Sequence, residues 1–461
     1  MIAEKLKSGE VAVVGLGASG EAVARLLRAN HAKVYASDSY SSTRVEEVAQ
    51  RLRFLGVDAR SGGHDLDRIA GAALVVTSPG VPPGAAPLTA ARRAGVPIVS
   101  EVEVALTFLP GAQIIAVTGT NGKSTVTALV AHLLRALGLK AEAAGNIGRP
   151  LSELALQADP PAWVALEISS FQLHDTFSLK PRVGVLTNLS PDHLDRYPSV
   201  EEYYADKRLL FRNATRDSRW VVNGDDERVL ELAEDVPGVT LRFSAAGRLA
   251  DAFYDREHDS LILMDEPLLS RSELPLIGDH NVANALAAAL AVAAAAPAHT
   301  SLSARRSLAN ALRAARPLPH RLEVVGDRGG VLWIDDSKAT TVESARVALA
   351  AMTRPTVLLL GGRHKGVSYR FLEPELRRHC KLVLAYGEAA DLIVNDLIEV
   401  RPVMKVRGGL DKVVQAAKEF AQRGDCVLLS PACASFDMFG NFEERGEAFR
   451  AAVGALARGD G

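Results

Sequence analysis

Short apolar runs alternate with longer amphipathic stretches along most of the chain. The runs are rich in valine, isoleucine and leucine, as is typical of strands that are buried on both faces of a parallel sheet. The clearest of them are residues 11–14, 33–37, 74–77, 113–117, 163–168, 183–187, 331–334 and 356–360. Because strand and helix patterns alternate from end to end, the sequence predicts α/β domains whose sheets are parallel throughout.

Helices are predicted where apolar residues recur every three to four positions. We expect one helix over residues 21–29 and another over residues 124–137, which Gly138 ends. An alanine-rich helix is expected after Asn281. Its apolar run, residues 285–296, is far shorter than the ~20 residues that a transmembrane helix needs.

Proline-containing connectors indicate where domains meet. A chain of 461 residues is too long for one hydrophobic core, at roughly 150 residues per domain. Leu109-Pro110-Gly111 and Arg316-Pro317-Leu318-Pro319 interrupt the alternation, and proline both breaks helices and stiffens connectors. The sequence therefore predicts three domains, residues 1–110, 111–317 and 318–461.

Composition and charge exclude several classes of protein. Hydrophobic residues make up 48% of the chain and charged residues 23%, which is ordinary for a globular protein. A net charge of −2 and the lack of a long basic block argue against nucleic acid and anionic membranes as partners. Residues 1–7 carry no apolar signal core, so a cytosolic protein is expected. Cys380, Cys426 and Cys433 show no Cys-x-x-Cys spacing, which fits a reducing compartment and no zinc site.

A glycine-rich turn lies between the strand at residues 113–117 and the helix that follows it. Its sequence is Thr118-Gly119-Thr120-Asn121-Gly122-Lys123-Ser124-Thr125. Glycines let backbone N–H groups approach phosphate oxygens, Lys123 can meet the β- and γ-phosphates, and the Ser124 hydroxyl can hold Mg²⁺. The standard motif has a further glycine where this chain has Val117, so the match is partial. We interpret the turn as an ATP-binding loop.

Another glycine loop, Gly15-x-Gly17-x-x-Gly20, follows the first strand, and Asp38 ends the next strand. This spacing fits a dinucleotide fingerprint, in which the acid accepts a hydrogen bond from a ribose hydroxyl. An NAD-dependent dehydrogenase is therefore one hypothesis. A UDP-sugar presents a similar diphosphate and similar hydroxyls, so it is the other. The ATP-binding loop favours the UDP-sugar, because hydride transfer needs no ATP.

Acidic and imidazole groups follow two strands of the central region. Glu167 falls near the end of one strand, and Asp192-His193-Leu194-Asp195 comes after the next. Because open α/β sheets bind ligands at the carboxyl ends of their strands, these groups predict a Mg²⁺ site beside Ser124. Lys207 lies in the following predicted helix. Taken alone, it is interpreted as a solvated lysine, because an ammonium group repels divalent cations.

Eight motifs, in order along the chain, resemble those of the Mur ligases, the ATP-dependent amino-acid ligases of bacterial peptidoglycan synthesis. The resemblance spans essentially the full length, and the shortened phosphate loop is the rule in that family. Besides the loop, the motifs are Gly145-Asn146-Ile147-Gly148, Glu167-Ile168-Ser169-Ser170-Phe171-Gln172-Leu173, Asp192-His193-Leu194-Asp195-Arg196-Tyr197, Gly278-x-His280-Asn281-x-x-Asn284, His320-Arg321, Asp336-Ser337-Lys338-Ala339-Thr340 and Ser430-Pro431-Ala432-Cys433-Ala434-Ser435.

The resemblance implies a Rossmann-like first domain that binds UDP, a central P-loop ATPase-type domain that binds ATP, and a Rossmann-like third domain that binds the amino acid. The residues expected to contact the UDP substrate are Ser19, Gly20, Asp38, Ser78, Gly80 and Asn146. Those expected to contact ATP are Gly119, Thr120, Asn121, Gly122, Lys123, Ser124, Thr125, Asn284, Arg321 and Asp336. The expected Mg²⁺ ligands are Ser124, Glu167, His193 and Lys207, with Lys207 carbamylated so that it presents a carboxylate.

Within the family, the pattern is most similar to the members that add D-glutamate to UDP-N-acetylmuramoyl-L-alanine. The residues that match glutamate-binding positions are Thr340, Lys365, Ser435 and Phe442, and a lysine with hydroxyl donors suits two carboxylates. Phe436 stands where leucine is expected, and Tyr40 where a basic residue is expected.

The resemblance also implies a two-step reaction. The substrate carboxylate attacks the γ-phosphate of ATP, and the amine of glutamate then displaces phosphate from the acyl phosphate. Lys123, His193 and Lys207 are the expected catalytic residues. ATP and Mg²⁺ are the expected cofactors of a cytoplasmic enzyme that works as a monomer.

Three alternatives stay open at this stage. The first is a Mur ligase that adds L-glutamate or another amino acid. The second is the dehydrogenase, which predicts nicotinamide binding and no need for Lys123. The third is an ATP-driven regulatory switch, which predicts hydrolysis of ATP without an amide product.

Overall fold

The computed structural model describes residues 2–146, 148–193 and 196–456. Within these ranges the chain forms three successive sheets, whose neighbouring strands are mostly parallel and joined through helices. The predicted α/β fold with three sheet-forming regions is therefore confirmed. No helix in these ranges is both long and apolar enough to span a bilayer.

The first sheet has the parallel strand order β3-β2-β1-β4-β5. Its strands are β1 (Glu10–Val14), β2 (Lys33–Ser37), β3 (Asp58–Arg60), β4 (Leu74–Thr77) and β5 (Ile98–Ser100). The helices of this region are α1 (Ile2–Ser8), α2 (Ala18–Ala29), α3 (Thr43–Phe54), α4 (Leu66–Ala70), α5 (Ala86–Arg93) and α6 (Glu101–Thr107). The strand order reverses between β1 and β4, and open sheets bind ligands at such a switch point.

The second sheet has the order β14-β13-β12-β11-β10-β9-β6-β8-β7. Its strands are β6 (Gln113–Thr118), β7 (Ala141–Gly145), β8 (Trp163–Glu167), β9 (Val183–Leu186), β10 (Arg219–Asn223), β11 (Val239–Ser244), β12 (Ala252–Asp255), β13 (Ser260–Leu263) and β14 (Glu266–Ser270). Its helices are α7 (Lys123–Ala136), α8 (Leu151–Ala155), α9 (Ser170–His174), α10 (Val200–Arg208), α11 (Glu227–Ala233), α12 (Asp279–Ala295) and α13 (Leu302–Arg313).

The third sheet has the order β15-β16-β20-β17-β18-β19. Its strands are β15 (Glu323–Arg328), β16 (Val331–Asp335), β17 (Thr356–Gly361), β18 (Cys380–Tyr386), β19 (Val403–Lys405) and β20 (Cys426–Leu429). Its helices are α14 (Val342–Ala350), α15 (Glu373–His379), α16 (Ala390–Leu397), α17 (Leu410–Phe420) and α18 (Phe442–Leu456).

The expectation of parallel sheets throughout was wrong at three strand pairs. β12 with β13, β13 with β14, and β15 with β16 are antiparallel. Only Met264 and Asp265 separate β13 from β14, and only Gly329 and Gly330 separate β15 from β16. All four have positive φ angles, which tight hairpin turns require. Such links are too short for the crossover that a parallel pair needs.

The three predicted helices begin earlier than expected, the helix expected over residues 124–137 by only one residue, at Lys123. The helix expected from Glu21 begins at Ala18, because Gly17 is extended and serves as its N-cap. The alanine-rich helix begins at Asp279 rather than after Asn281. The chain forms two compact units: the residues up to Leu274 with Val282–Ala315, and Pro275–Asn281 with the residues from Arg316 on. The first two sheets thus belong to one unit, in which their apolar residues share a core cluster.

Candidate functional site

The phosphate loop joins β6 to the first turn of α7. Gly122 is the N-cap of α7 and has the left-handed backbone angle φ +82°. A Cβ atom at this position would lie 2.4 Å from Oδ1 of Asn284 on α12. The turn therefore needs glycine for two reasons, and Asn284 lies directly against it.

The phosphate loop is bonded to the segment that follows β9. The Asn188 side chain accepts from the Asn121 backbone N–H at 2.8 Å and donates to the Asn121 carbonyl at 3.0 Å. Thr187 Oγ1 donates to that same carbonyl at 2.7 Å. The Thr120 N–H donates to the Asn188 carbonyl at 2.8 Å. A Cβ atom on Gly119 would lie only 2.0 Å from Thr187 Oγ1, so the two segments pack without space for a side chain there.

Lys123, Ser124 and Thr125 form the first turn of α7. Lys123 Nζ donates to the Thr120 carbonyl at 2.7 Å, which keeps its charge at the loop. The Ser124 side chain is buried beside it. The first N–H groups of a helix have no intrahelical acceptor, and this end carries partial positive charge. The arrangement can therefore bind nucleotide phosphates.

Glu167 ends β8, and Asn146 orients it from the end of β7. Asn146 Nδ2 donates to Glu167 Oε1 at 3.0 Å, and the Asn146 N–H donates to the Glu167 carbonyl at 2.9 Å. Glu167 is buried, and its Oε2 has no hydrogen-bond partner among the described residues. Because a buried carboxylate oxygen is costly unless something binds it, this atom suits a cation ligand. Asn146, predicted to contact the UDP substrate, thus also positions Glu167.

Lys207 on α10 is only 1% exposed, so its interpretation as a solvated lysine was wrong. Its Nζ donates to the Gly119 carbonyl at 2.7 Å and lies 4.4 Å from the centroid of the Tyr203 ring. Burial, and next the charge of Lys123, lower the pKa of Lys207 well below its ordinary value. The local environment therefore makes the neutral amine more common than it is for a solvated lysine.

His193 follows β9 with the left-handed backbone angle φ +55°. Its side chain is 46% exposed, and its Nε2 lies 3.7 Å from Oδ2 of Asp192. The imidazole packs edge-on against the Phe171 ring, with centroids 5.3 Å apart. Leu194 and Asp195, the other members of the predicted cluster, lie outside the described residues.

Sequence reasoning missed a set of stacked and hydrogen-bonded side chains beside His193. Tyr197 stacks on Phe171 with ring centroids 5.1 Å apart, and its hydroxyl donates to Asp206 at 2.9 Å. The other oxygen of Asp206 lies 2.8 Å from Nδ1 of His174, and this bond raises the pKa of His174. Phe171 and Tyr197 belong to quoted motifs, but no spacing in the sequence shows that they stack.

Asp38 lies where the loops after β1 and β2 meet, at the predicted UDP site. Its carboxylate accepts from the Leu16 N–H at 2.7 Å and from the Tyr40 N–H at 2.9 Å. Tyr40 is itself 73% exposed. Asp38 therefore orders both loops, and each of its oxygens keeps a further lone pair for a ligand hydroxyl.

The loop after β4 joins the same region through Ser78. Ser78 Oγ donates to the Gly15 carbonyl at 3.2 Å. A Cβ atom on Gly20 would lie 1.8 Å from that carbonyl oxygen, so glycine is needed for this close packing. Ser19 is half-buried and Gly80 is exposed. The structure thus gathers Gly20, Asp38 and Ser78, three of the predicted UDP contacts, at the switch point of the first sheet.

Asp336 follows β16 in the third sheet and is buried. Its carboxylate accepts from the Leu322 N–H at 3.2 Å and from the Ser430 hydroxyl at 2.8 Å. Burial raises the pKa of Asp336 to about 7, and the nearby charge of Arg321 opposes that rise. The two predicted nucleotide contacts of this sheet are therefore neighbours.

Lys365 and Thr340, two of the predicted glutamate contacts, are brought together. Lys365 Nζ donates to Thr340 Oγ1 at 3.1 Å. Ser435 is buried in the loop after β20. Phe442 begins α18, and Lys338 Nζ lies 3.8 Å from the centroid of its ring.

Arg445 on α18 is a buried cation that sequence reasoning missed. It is 1% exposed, its Nε donates to Ser337 Oγ at 2.9 Å, and Nη2 donates to the Ser337 carbonyl at 2.8 Å. Its Nη1 donates to the Cys433 carbonyl at 3.1 Å. The guanidinium therefore ties together two of the quoted motifs, which carry Ser337 and Cys433. An arginine on an amphipathic helix gives no sequence signal of this role.

Three family models match the chain. They are the Mur ligase MurD-like N-terminal domain over residues 9–100, the Mur ligase middle domain over residues 117–292, and the Mur ligase glutamate ligase domain over residues 320–433.

Curated proteins with the name UDP-N-acetylmuramoylalanine–D-glutamate ligase are similar over their full length. The protein of Acidobacterium capsulatum is 40% identical over 97% of this chain and 96% of its own. The protein of Myxococcus xanthus is 40% identical over 98% of this chain and 99% of its own.

Solved structures share the fold. UDP-N-acetylmuramate-alanine ligase MurC from Thermotoga maritima superposes with a TM-score of 0.61 at 20% identity, covering 97% of this chain and all of that one. MurF ligase from the same organism, in complex with ADP, gives 0.59 at 15% identity, covering 92% and 96%.

Proposed function

The chain belongs to the Mur ligase family, and on that basis we propose that it joins D-glutamate to UDP-N-acetylmuramoyl-L-alanine. Its activity is that of an ATP-dependent ligase that forms an amide bond in peptidoglycan precursor synthesis. The observation that carries the choice of amino acid is the 40% identity to a curated D-glutamate ligase across 97% of the chain.

The phosphate loop is the ATP site of this proposal. Glycine backbone, the N-terminal N–H groups of α7 and the Lys123 ammonium converge there, and each of them favours phosphate oxygens. Asn284 lies against Gly122 and completes the group in the first compact unit. We assign Arg321 and Asp336 to the nucleotide as well, on the family resemblance.

The groups beside the phosphate loop fit Mg²⁺ on one condition. Ser124 offers a hydroxyl oxygen, Glu167 offers the buried Oε2 that lacks a partner among the described residues, and His193 offers an imidazole nitrogen. Mg²⁺ prefers oxygen ligands, and the side chain of lysine ends in nitrogen. The condition is therefore that Lys207 carries a group that presents an oxygen atom. When bound, the ion would neutralise charge on the phosphates of the nucleotide.

Lys207 can acquire that oxygen by reaction with CO₂. A neutral amine has the lone pair that attacks the carbon of CO₂; one N–C bond forms, one C=O π bond becomes C–O⁻, and a proton leaves the nitrogen. The lowered pKa of Lys207 supports this step, because the amine is neutral more often than that of a solvated lysine. The product carries a carboxylate where the sequence shows a cation.

The proposed reaction has two steps, and the residues of the loop serve the first. A carboxylate oxygen of UDP-N-acetylmuramoyl-L-alanine attacks the γ-phosphorus of ATP, and the bond to the β–γ bridging oxygen breaks to release ADP. Lys123 lies at the loop and offsets the negative charge of the transferring group. The amine of glutamate then attacks the carbonyl carbon of the acyl phosphate. Phosphate leaves with the bonding electrons, and the nitrogen loses a proton.

The two organic substrates bind elsewhere in this proposal. Ser19, Gly20, Asp38, Ser78, Gly80 and Asn146 are assigned to the UDP substrate. Asp38 has lone pairs left for a ribose hydroxyl, which supports that assignment. Thr340, Lys365, Ser435 and Phe442 are assigned to glutamate, whose carboxylates suit the Lys365 ammonium.

We further infer a cytoplasmic location, since the nucleotide substrates ATP and a UDP-sugar are cytoplasmic metabolites. We propose separately that the protein is a monomer. Light scattering during size-exclusion chromatography tests the monomer. A mass near 49.0 kDa is expected, and twice that value would contradict it.

Phosphate release from ATP with UDP-N-acetylmuramoyl-L-alanine tests the function. The assay compares D-glutamate, L-glutamate and no amino acid, and mass spectrometry identifies the product. We expect release and a new amide with D-glutamate only, and loss of both in Lys123→Met. Lys140→Met removes a surface lysine on the same domain and is the matched control. Release with L-glutamate alone would assign a different ligase, and release that ignores both amino acids would contradict the proposal.

A further inference from the structure

The hydroxyl of Tyr369 lies between two loops that carry assigned glutamate contacts. Tyr369 is fully buried and packs in a core cluster of the second compact unit. Its hydroxyl oxygen lies 3.1 Å from Nδ1 of His364 and 2.8 Å from Sγ of Cys433. His364 directly precedes Lys365, and Cys433 lies two residues before Ser435. One phenol group therefore contacts a side chain of each loop.

The two loops follow β17 and β20, which are neighbours in the third sheet. These strands pair in parallel, so both loops leave the same edge of the sheet. Their main chains are also joined: the Arg363 N–H donates to the Ala434 carbonyl at 2.8 Å, and the Ala434 N–H donates to the Arg363 carbonyl at 3.0 Å. This backbone pair ends one residue before His364. The Tyr369 hydroxyl adds a side-chain contact from there on.

Tyr369 is itself fixed by a helix of the same unit. Its backbone N–H donates to Oδ2 of Asp396 on α16 at 2.8 Å, and its ring lies against the His364 ring with centroids 5.4 Å apart. The chain on the far side of Lys365 is packed less closely. Gly366 is exposed with a φ of +85°, and nothing lies within 4 Å of a Cβ there. The support that Lys365 receives from its own loop therefore comes mainly through His364.

The chemistry of the three groups sets the direction of their hydrogen bonds. Burial raises the pKa of the Cys433 thiol to about 11, against the Tyr369 hydrogen bond, so the thiol keeps its proton and can donate it. Sulfur is a weak acceptor, whereas a neutral imidazole has one acceptor nitrogen. The Cys433 S–H therefore donates to the Tyr369 oxygen, and the Tyr369 O–H donates to Nδ1 of His364. In this arrangement the ring hydrogen of His364 is on Nε2.

We propose that Tyr369 is a positioning residue for the amino-acid site, whose hydroxyl holds the Lys365 and Ser435 loops at the spacing that glutamate requires. The inference rests on the proposed function, because Lys365 and Ser435 are assigned to glutamate there. Tyr369 acts through His364 and Cys433 rather than on the substrate. Binding groups must be held to within about 0.5 Å, so a loop that loses one hydrogen bond binds its ligand less tightly.

Steady-state kinetics of the full-length protein test this role. Tyr369→Phe keeps the ring and removes the hydroxyl. We expect the KM for D-glutamate to rise about threefold to tenfold, with kcat and the other two KM values within twofold. Cys433→Ala should raise the same KM, whereas Cys433→Ser keeps a donor and should stay within twofold of the native chain. Tyr386→Phe is the matched control, since this buried tyrosine of the same unit has a hydroxyl without a hydrogen-bond partner among the described residues.

A role in core packing alone would lower the melting temperature of Tyr369→Phe and leave the KM for D-glutamate unchanged. That result would overturn the proposal. Melting curves show which variants are folded. Cys433→Ala tests the same pair of loops if Tyr369→Phe does not fold, and an unchanged KM in folded Cys433→Ala would overturn the proposal equally.

The imidazole nitrogens of His364 give a readout that needs no substrate. ¹H–¹⁵N NMR spectra of ¹⁵N-histidine-labelled protein are recorded at about pH 8.5, where an ordinary imidazole is neutral, and His364→Gln assigns the signals. We expect the Nε2–H form in the native chain and in Tyr386→Phe, and a shifted Nδ1 signal in Tyr369→Phe. Unchanged His364 signals in folded Tyr369→Phe would refute the hydrogen bond. Failure of the ligase proposal shows in the native chain, as no D-glutamate-dependent phosphate release, so the two proposals fail separately.

Discussion

Lys207 Nζ lies 2.7 Å from the carbonyl oxygen of Gly119, so the amine on α10 is held against the first glycine of the phosphate loop. The acceptor is neutral, and the lysine is 1% exposed. Nothing in this pairing requires a positive charge on Lys207. The pair therefore joins the assigned ATP site to the position where the proposed carbamate forms.

Removal of the Lys207 amine tests the carbamate directly. We expect Lys207→Ala to lower phosphate release by about 100-fold or more, because a metal-binding group and its charge are lost. Bicarbonate should not restore activity, whereas acetate or formate should restore part of it by supplying a carboxylate. Lys180→Ala, which removes an exposed lysine, should keep full activity. Full activity in Lys207→Ala would remove this residue from the metal site.

The close packing of Gly122 in the phosphate loop predicts that a single added methyl group there strongly weakens ATP binding. We expect Gly122→Ala to weaken ATP binding about tenfold or more, because the new Cβ would approach Asn284 Oδ1 to 2.4 Å and displace the loop. Gly138 ends α7 with a similar φ of +78°, but nothing lies within 4 Å of a Cβ there. Gly138→Ala should cost about 1 kcal/mol of stability and leave ATP affinity unchanged. Equal ATP affinities in both variants, measured by calorimetry, would contradict the clash.

The buried carboxyl group of Glu101 predicts that the free energy of unfolding falls as the pH rises. It is 1% exposed, and burial raises its pKa from 4.5 to about 7, against the Ser152 hydrogen bond. The folded protein therefore holds a proton that the unfolded chain releases, so the contribution is full below pH 4.5 and is lost as the pH rises through 7. We expect Glu101→Gln to stabilise the protein at pH 8 by up to about 3 kcal/mol and to change little at pH 4.

Glu103 on the same helix is the matched control for Glu101. Its Oε2 accepts from the Phe177 N–H, the Ser178 N–H and the Ser178 hydroxyl, at 2.8, 2.8 and 3.0 Å. Glu103→Gln weakens three charge-assisted bonds and should destabilise the protein at pH 8. Denaturant unfolding at the two pH values measures both variants. A pH-independent effect of Glu101→Gln would show that this carboxyl does not hold the proton.

The Lys365–Thr340 pair predicts how glutamate is bound. We expect Lys365→Ala to raise the KM for D-glutamate about 10- to 100-fold, because a charged donor to a carboxylate is lost. The KM values for ATP and the UDP substrate should stay within twofold. Lys412→Ala on α17 removes an exposed lysine of the same compact unit and serves as control. An unchanged KM for glutamate would place its carboxylates elsewhere.

Local patterns in the sequence predicted the strands and the phosphate loop well. The run Lys33–Ser37 and the run Leu74–Thr77 are strands with the predicted limits. These features depend on neighbouring residues, so periodicity and glycine spacing suffice to recognise them. The hairpin β13–β14 was missed because only two turn residues, Met264 and Asp265, distinguish it from the surrounding pattern.

Contacts between distant positions could not be predicted from the residues alone. Lys207 and Gly119 are 88 positions apart, and Arg445 and Ser337 are 108 apart. Burial of a lysine or an arginine runs against the usual preference of these residues for solvent. Only tertiary packing makes such burial possible, so Lys207, taken alone, was interpreted as a solvated lysine. The family resemblance corrected Lys207 but gave no signal for Arg445.

The amide of Asn188 has a consequence for how the loop meets its ligand. It accepts one hydrogen bond from the main-chain N–H of Asn121 and donates another to the main-chain carbonyl of the same residue, as the backbone of a neighbouring strand would. The loop is therefore ordered before any nucleotide arrives, and little conformational entropy is lost on association. Aspartate at this position would set an acceptor against the Asn121 carbonyl and loosen the loop. Nucleotide affinity thus depends in part on a side chain that has no need to touch the nucleotide.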